Sequence, residues 1–267
     1  MAQGTPDVTQ DGTPDVTQDV TVECRAVEGG DVYVLTMAAG ENRWTTTFTR
    51  ALAAALDEVL ARVEAGAGPA ALVTASADPK FFSNGLDVEW VRGRGEHPGG
   101  DRSVFAVEAM AVFSRVMTFP IPTVAAIGGH AFGAGFMVAL CHDVRVMRRD
   151  RGFLCANELE IGIAIPDPEL ALFRHKMSLP AFYETVQLAR RWTAPDAAAA
   201  GFVQHVVEAD EVLPAAIERA RRLLPLSRNR VVFGGQKQRL FGADAAIAGA
   251  HGAAHMLAHP GQFGVGH

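Results

Sequence analysis

Short apolar runs alternate with helix-periodic segments along most of this chain, and that alternation limits the possible fold more than any other feature of the sequence. Residues 32–35 (VYVL) and 71–74 (ALVT) are typical of buried strands. Between them, apolar residues from Phe48 to Val63 recur at steps of three and four, which indicates an amphipathic helix. Repeated alternation of this kind predicts an α/β architecture in which helices cover a largely parallel sheet.

The second half of the chain continues the pattern and marks two helix starts. Asp167, Pro168 and Glu169 combine an expected capping Asp, a proline at the first helical position and an acid in the first turn. Thr193 opens a similar start, and Gly201 is expected to end that helix. The last 60 or so residues are predicted to be mostly helical. The remaining predictions are strands at 123–127 and 144–147, a helix at 104–117 and a helix that opens near Gly133.

The N-terminus carries a perfect repeat, since residues 4–11 (GTPDVTQD) recur at once as residues 12–19. The repeat is polar, contains proline and has no hydrophobic face to bury, so it predicts a disordered tail. We therefore expect three regions: a tail at 1–19, a core with the active site at 20–200 and a C-terminal helical region at 201–267.

Charge and cysteine content exclude several classes of protein. A net charge of −6 argues against a dedicated nucleic-acid binder, which usually carries a basic excess. Cys24, Cys141 and Cys155 are too few and too scattered for a disulfide framework or a cysteine zinc site. No signal-peptide pattern and no apolar run long enough for a membrane span is visible. We expect a soluble, cytoplasmic protein.

Two glycine-bearing turns follow predicted strands. Residues 81–87 (FFSNGLD) come soon after one strand, and residues 128–136 (GGHAFGAGF) join another strand to a helix. Small residues let the backbone approach a ligand, and the N–H groups at a helix start favour negative charge. The spacing is not that of a dinucleotide fingerprint, and no serine stands where a hydrolase nucleophile would. Taken singly, each turn could also serve packing alone.

Together, the two turns resemble the signatures of the crotonase (enoyl-CoA hydratase/isomerase) family. Residues 122–143 are similar to its second signature, and residues 193–213 to a later helix-Gly-strand segment; the likeness covers about residues 25–225. It implies a ββα spiral core followed by a C-terminal helical trimerisation region. It also implies an acyl-CoA thioester substrate, a homotrimer or hexamer, and no cofactor besides the coenzyme A of the substrate. Metal, nucleic acid and membrane are not expected partners.

The resemblance assigns roles to particular residues. The backbone N–H groups of Leu86 and Ala134 would form an oxyanion hole for the thioester oxygen. Glu158, four residues before Gly162, matches the family's catalytic acid, whereas Met137 stands where hydratases have a first glutamate. A single proton-exchanging group favours a likeness to Δ3,Δ2-enoyl-CoA isomerase, in which Glu158 takes a proton from C2 and returns one at C4.

Alternatives to this interpretation remain open. The chain could be a hydratase or another enolate-forming member, or a CoA- or RNA-binding scaffold without chemistry, because fold alone does not guarantee activity. Among the acids, Glu160 shares an extended face with Glu158 and is the nearest competitor. Glu89 is a weaker candidate, and Asp167 is better explained as a helix cap.

Further residues are candidates for binding the substrate. The resemblance places Arg43 and Lys237 near the pantetheine or phosphates, although a solvated basic surface explains both equally well. The turn predicted to contact coenzyme A comprises Phe82, Ser83, Asn84, Gly85 and Asp87. Candidates for the acyl tunnel are Trp90, Phe105, Met137 and Phe173.

Two other clusters of residues each have a functional interpretation and a simpler interpretation as solvated surface. His251, His255 and His259 would share one helix face and could bind a metal, but a polar surface is the favoured interpretation because no carboxylate accompanies them. The basic run of Arg145, Arg148, Arg149 and Arg151 could attract RNA, but a solvated loop fits the acidic total better.

Overall fold

Two sheets organise the part of the chain described by the computed structural model, which comprises residues 19–93, 99–243 and 251–265. Apart from Asp19, the predicted N-terminal tail lies outside the described residues. The large sheet has six strands in the order β1-β2-β3-β5-β7-β9, and the small sheet has three in the order β4-β6-β8. The strands are β1 (Val20–Val27), β2 (Gly30–Met37), β3 (Ala70–Ser76), β4 (Phe81–Ser83), β5 (Thr123–Ile127), β6 (His130–Phe132), β7 (Val144–Arg148), β8 (Leu154–Cys155) and β9 (His205–Val207).

Strand pairing is parallel except at one edge. β1 and β2 form an antiparallel hairpin, and every later pairing in both sheets is parallel. Three successive turns of chain each add one strand to the large sheet and the next to the small sheet, as β3 then β4, β5 then β6, and β7 then β8. Helices follow each pair, so the predicted ββα spiral is confirmed.

Ten α-helices cover the sheets in the described residues. They are α1 (Thr46–Ala65), α2 (Val88–Val91), α3 (Phe105–Met117), α4 (Ala134–Cys141), α5 (Asp167–Lys176), α6 (Leu179–Val186), α7 (Ala194–Ala199), α8 (Val212–Leu223), α9 (Arg230–Phe241) and α10 (Ala253–Ala258). The C-terminal part is largely helical, as the sequence predicts. Its role in trimerisation stays a prediction.

Alternate residues of the central strands enter two separate cores. In β2, Tyr33 and Leu35 face the core shared with α1 and α3, whereas Val32 and Val34 face the core under α8. Because both faces are covered, the strands read as continuous apolar runs rather than as alternating patterns. The larger core extends to the helices that surround the glycine turns.

The predicted capping role of Asp167 is wrong. The residue that precedes α5 is Pro166, whose carbonyl accepts from the N–H groups of Glu169 and Leu170, and Asp167 is the first helical residue. The helix begins one residue earlier than the proline rule suggests, because Pro168 occupies the second helical position. At the other predicted start, the Thr193 side chain does cap α7 through the Asp196 N–H.

The length and the apolar character of the helices in the described segments decide whether one of them could cross a bilayer. In residues 19–93, 99–243 and 251–265, none of them has both the length and the apolar character needed to cross a membrane.

Candidate active site

A cavity of about 670 Å³ opens beside the two glycine turns. This volume is within the usual range for small-molecule sites. Its wall combines both turns, the segment after β8, the first turn of α5 and one side of α3. The wall includes Arg43, Asn84, Leu86, Phe105, Ala134, Met137, Glu158, Glu169 and Val265.

The first turn presents the Leu86 amide to this cavity. Gly85 adopts a φ of +72°, a left-handed conformation that L side chains rarely take. Trp44 fixes the turn on both sides of Leu86, because its N–H donates to Gly85 O at 2.8 Å and its carbonyl accepts from Asp87 N at 3.1 Å. No backbone hydrogen bond among the described residues uses the Leu86 N–H itself. The amide is therefore free to donate to a ligand.

The second turn does the same for Ala134. Gly133 has a φ of +47° and ends the strand β6, after which α4 begins at Ala134. The Gly133 N–H donates to Cys155 O at 2.9 Å, and its carbonyl accepts from Phe136 N and Met137 N. The Ala134 N–H lies at the helix start and has no acceptor within the described part of the backbone.

Close packing holds the two turns together. A Cβ atom added to Gly85 would lie 2.5 Å from the Phe132 carbonyl oxygen, and one added to Gly135 would lie 2.6 Å from the Ser83 carbonyl oxygen. Each turn thus presses a glycine against the backbone of the other. The predicted donors Leu86 and Ala134 are brought to the wall of one cavity by this contact.

Glu158 lies beside the second turn. It precedes a short 3-10 helix at Leu159–Ile161, and the left-handed Gly162 ends that helix, which explains the Glu-to-Gly spacing of the sequence. A Cβ on Gly133 would lie 3.0 Å from Glu158 Oε1, so the carboxyl group touches the turn that carries Ala134. Its Oε2 is buried without a hydrogen-bond partner in the described structure. Burial raises the pKa of Glu158 to about 7, against a small opposing effect of its own backbone N–H.

A carboxyl group with this pKa can exchange protons near neutral pH. Its unpaired oxygen is a buried polar atom that costs free energy unless a ligand or a proton satisfies it. These are the properties expected of a general base in a cleft. The sequence-predicted trio of Glu158, Leu86 and Ala134 is thus assembled at one place.

The apolar part of the cavity agrees only partly with the predicted tunnel. Phe105 and Met137 line it, and Met137 stands on α4 one turn beyond Ala134. Trp90 and Phe173 are fully buried and are not part of the cavity wall as the described residues define it. Phe173 packs edge-on against Phe136, and Trp90 against Phe105, so both support the wall from behind.

Arg43 and Asn84 stand together at the cavity. Both are in its wall, and both contact the Glu41 carboxylate: Arg43 at 2.7 Å and the Asn84 amide at 2.8 Å. The Arg43 side chain is 44% exposed, so it can also reach a ligand outside the cavity. These are the predicted coenzyme A residues whose position suits that role best.

Other predicted binding residues have internal partners. The buried Ser83 hydroxyl donates to Asn42 O at 2.7 Å, and the Phe82 carbonyl accepts from the Asn42 amide at 3.1 Å. The Asp87 carboxylate caps α2 through Trp90 N at 3.0 Å. These contacts shape the first turn from inside. Their contact with coenzyme A stays a prediction.

Lys237 is not brought to the cavity. Its side chain is 5% exposed, and its Nζ lies 2.7 Å from Asp143 Oδ2. It also donates to Ile121 O at 3.3 Å, so it connects α9 to the loop before β5. Burial lowers the pKa of Lys237, and the Asp143 carboxylate counteracts that effect. Within this single chain its partners are Asp143 and Ile121, and its contact with a phosphate, on the same or a neighbouring subunit, stays a prediction.

The competing acids lie elsewhere. Glu160 pairs with Arg191 at 3.1 Å on the surface, Glu89 is in the first turn of α2, and Asp167 is exposed at the start of α5. None of the three is in the cavity wall formed by the described residues.

The histidine stripe and the arginine run lie outside the cavity wall formed by the described residues. The rings of His251, His255 and His259 stack along α10 with centroids 4.8 Å and 4.4 Å apart. Across the described ranges, no group of three or more His, Cys, Asp or Glu is arranged to hold a metal ion. Arg145 is buried and donates to His142 O at 2.7 Å, while Arg149 pairs with Glu208 at 2.8 Å.

Sequence reasoning missed Glu169, which stands in the cavity wall on the first turn of α5. Burial raises its pKa to about 8, and the charge of Glu158 adds to the effect. A signal was present, because Leu172 and Phe173 follow at steps of three and four and are buried. The sequence pattern assigns this acid to the first turn of a capped helix and therefore gives it no place in the cavity.

The amino-acid sequence of this chain is similar to a known protein family and to several known proteins. The family described as "Enoyl-CoA hydratase/isomerase" matches residues 30–259. The chain is 34% identical over 161 residues to "Enoyl-CoA delta isomerase 2, peroxisomal" of Arabidopsis thaliana. The matched segment covers 59% of this chain and 65% of that protein. It is 30% identical over 223 residues to "Enoyl-CoA delta isomerase 3" of the same plant, with 82% and 92% covered.

A solved structure agrees at the level of the whole chain. The crystal structure of a probable enoyl-CoA hydratase from Mycobacterium tuberculosis H37Rv superposes with a TM-score of 0.72 at 27% identity. The superposition covers 90% of this chain and 96% of that one. The shared architecture therefore extends over most of both chains.

Proposed function

This chain belongs to the enoyl-CoA hydratase/isomerase family, and on that basis we propose that it isomerises 3-enoyl-CoA to trans-2-enoyl-CoA through Glu158. The observation that carries the proposal is the Glu158 carboxyl group, which is half-buried, unpaired at Oε2 and in contact with the turn of the Ala134 amide. The relatives from Arabidopsis that are named enoyl-CoA delta isomerases support the same reaction.

The reaction follows from the positions of three groups. The Glu158 carboxylate takes a proton from C2, and the electron pair of that C–H bond spreads over C2 to C4 and the thioester oxygen. The Leu86 and Ala134 N–H groups donate to this oxygen, where negative charge develops. Glu158 then gives its proton to C4, the C2=C3 double bond forms, and the carboxylate is restored. No further reactant is consumed.

The same proposal covers binding and assembly. Arg43 and Asn84 would contact the coenzyme A part of the substrate at the edge of the cavity, since both line it beside the first turn. The reaction as written needs no cofactor beyond that coenzyme A. We propose a closed symmetric homo-oligomer, because closed symmetry is the default for soluble oligomers, and the family resemblance favours a trimer or hexamer. A cytoplasmic location is proposed as well, although two Arabidopsis relatives are named peroxisomal.

Hydration is the rival reaction. Adding water to a 2-enoyl-CoA uses a second proton-exchanging group beside Glu158, and Met137 cannot provide it. The Glu169 carboxyl does lie in the same cavity, so hydration has to be measured alongside isomerisation. The apolar wall around Glu158 favours the reaction that needs no water.

The test is the substitution Glu158→Gln, which keeps the size of the side chain and removes its ability to exchange protons. We expect the rate of 3-enoyl-CoA isomerisation to fall about 10²- to 10⁴-fold, as is usual when a general base is lost. Glu160→Gln is the matched control, because Glu160 lies two residues away at the surface, and its rate should stay near that of the wild type. Thermal unfolding of each variant checks that the fold is retained.

Three outcomes would contradict the proposal. Wild-type protein that hydrates 2-enoyl-CoA faster than it isomerises 3-enoyl-CoA would make it a hydratase. Equal rates for wild type and Glu158→Gln would exclude Glu158 as the base. Tight binding of acyl-CoAs by both proteins without any turnover would favour the scaffold alternative.

A further inference from the structure

Glu169 is a second carboxyl group in the cavity, and the proposed reaction makes no use of it. It is the third residue of α5, on the same helix face as the fully buried Leu172 and Phe173. This position holds its side chain toward the interior instead of toward solvent. In the described parts of the chain, no hydrogen bond or ion pair engages its carboxyl group.

The cavity wall that contains Glu169 is largely apolar. Besides Asn157 and Glu158, it includes Ile161, Ile163, Ala164, Pro166 and Val265. A polar group in such a wall loses hydrogen bonds to water when an acyl chain fills the cavity, unless the ligand replaces them. The few polar groups of an apolar pocket therefore determine which ligand fits best.

The protonation of Glu169 indicates which chemical group would suit it. Two carboxylates in one apolar cavity repel each other, so one of them holds its proton more strongly. Burial and the charge of Glu158 raise the pKa of Glu169 to about 8, so it is largely protonated at neutral pH. A protonated carboxyl donates one hydrogen bond and accepts another, and a hydroxyl group does the same. A hydrocarbon does neither, and an ammonium group can only donate.

We propose that Glu169 is a specificity-determining residue that binds a hydroxyl group of the acyl chain beyond the reacting carbons. The preferred substrates are then hydroxylated 3-enoyl-CoAs. This inference rests on the proposed function, since it names the substrate class of the same cavity.

The test compares pairs of 3-enoyl-CoAs of equal length, with and without a hydroxyl group at C5 or at each later carbon. For the wild type, we expect kcat/KM to be about tenfold higher for the hydroxylated member at one position, which is the value of one good hydrogen bond. Glu169→Gln should keep the preference, because an amide also donates and accepts. Glu169→Leu should lose it, so that the ratio of kcat/KM for the hydroxylated and unsubstituted members falls to about one.

A control and an independent readout complete the design. Glu160→Gln and Glu160→Leu, at the neighbouring surface acid, should both keep the wild-type preference. Binding of saturated acyl-CoAs with and without the hydroxyl group, measured by calorimetry, tests Glu169 without any isomerisation. If no pair is turned over, the proposed function fails, and the calorimetric comparison still decides the role of Glu169.

The following results would overturn the inference. The wild type shows no preference for a hydroxyl group at any position, or Glu169→Leu retains the preference. An acyl chain with an amino group binds better than its hydroxyl counterpart, which would mean that Glu169 works as an anion. Both Glu169 variants slow every substrate by the same factor, which would place the carboxyl in the chemistry of the reaction.

Discussion

The protonation of Glu158 links the chemistry of a single residue to the stability of the fold. An exposed glutamate has a pKa near 4.5, and burial raises that of Glu158 to about 7. Its buried, unpaired Oε2 shows why, since no donor within the described residues compensates for the water that the charged form loses. The folded state therefore binds the proton more tightly than the unfolded state between these two pH values.

This difference predicts how stability changes with pH. In the wild type, the contribution of Glu158 to the free energy of unfolding is fully present below about pH 4.5 and falls as pH rises through about 7. Glu158→Gln has no charge to bury, so its stability relative to the wild type should rise over this range by up to about 3 kcal/mol. Urea denaturation at pH 5 and pH 8 measures the effect.

The control for this experiment is Glu160→Gln, whose stability relative to the wild type should be the same at both pH values because the side chain is exposed. A Glu158→Gln difference that stays constant with pH would show that Glu158 is not desolvated in the folded state.

At the residue scale, the family resemblance predicted Glu158, because the matching pattern of a Glu four residues before Gly162 is a local property of the sequence. The spacing corresponds to one short 3-10 helix that ends at a left-handed glycine. Lys237 shows the opposite case. Whether a lysine faces solvent or an Asp143 carboxylate nearly a hundred positions earlier depends on tertiary packing, which no local pattern reveals.

At the scale of elements, the site is made by two turns that cross. β4 leads into the turn of Leu86, and β6 leads into the turn of Ala134; these strands are paired in the small sheet. Gly85 and Gly135 allow the turns to approach to backbone contact. The sequence predicted both turns and the strands β3 and β5 that precede them, because each signal lies within ten residues, but it did not predict β4 and β6 as strands. It did not predict that each glycine packs against the other turn.

The crossing of the turns predicts a strong effect of Gly135→Ala. The new methyl group would lie 2.6 Å from the Ser83 carbonyl oxygen and 2.7 Å from Ser83 Cβ, so α4 must move away from β4. We expect a loss of about 1–3 kcal/mol in the free energy of unfolding, as for other overpacked sites. Isomerase activity should fall as well, because the same shift separates the two amides.

Gly128→Ala is the matched control, because Gly128 belongs to the same glycine-bearing segment 128–136 but lies in the connection between β5 and β6. Nothing lies within 4 Å of its added Cβ atom, and its φ is not positive. Denaturation curves and kcat, measured for both variants, test whether Gly135→Ala alone lowers stability and activity. Equal stability and equal activity of the two would mean that the turns do not need their close approach.

At the scale of the whole molecule, contacts between distant parts of the chain enclose the cavity. α10 packs against α3 and α5, and α8 covers the other face of the large sheet. The alternation of strands and helices was enough to predict an α/β fold, and the family resemblance supplied the spiral. The arrangement of the last helices had no such local signal, since it depends on surfaces that form only after the sheet has folded.

The buried pair of Lys237 and Asp143 gives a prediction at this scale. Lys237→Met removes the ion pair of the Asp143 carboxylate and leaves it the hydrogen bonds from Thr123, so the free energy of unfolding should fall by about 3 kcal/mol. The KM for acyl-CoA should change little. Arg239→Met, at an exposed position of the same helix, is the control and should alter neither value.

The alternative role of Lys237 makes the reverse prediction. If its ammonium group binds a coenzyme A phosphate, the Lys237→Met variant would unfold at the same urea concentration as the wild type and show a clearly higher KM.

One residue of the cavity wall comes from far along the chain, and this has a consequence for synthesis on the ribosome. Val265 contributes to that wall, and its N–H donates to Pro260 O in the segment that follows α10. When translation has passed Glu169, all the reacting groups already exist, but nearly a hundred residues must still be added before the acyl chain is enclosed. A nascent chain that ends soon after Glu169 would contain the catalytic groups and would still leave the acyl chain of the substrate exposed to water.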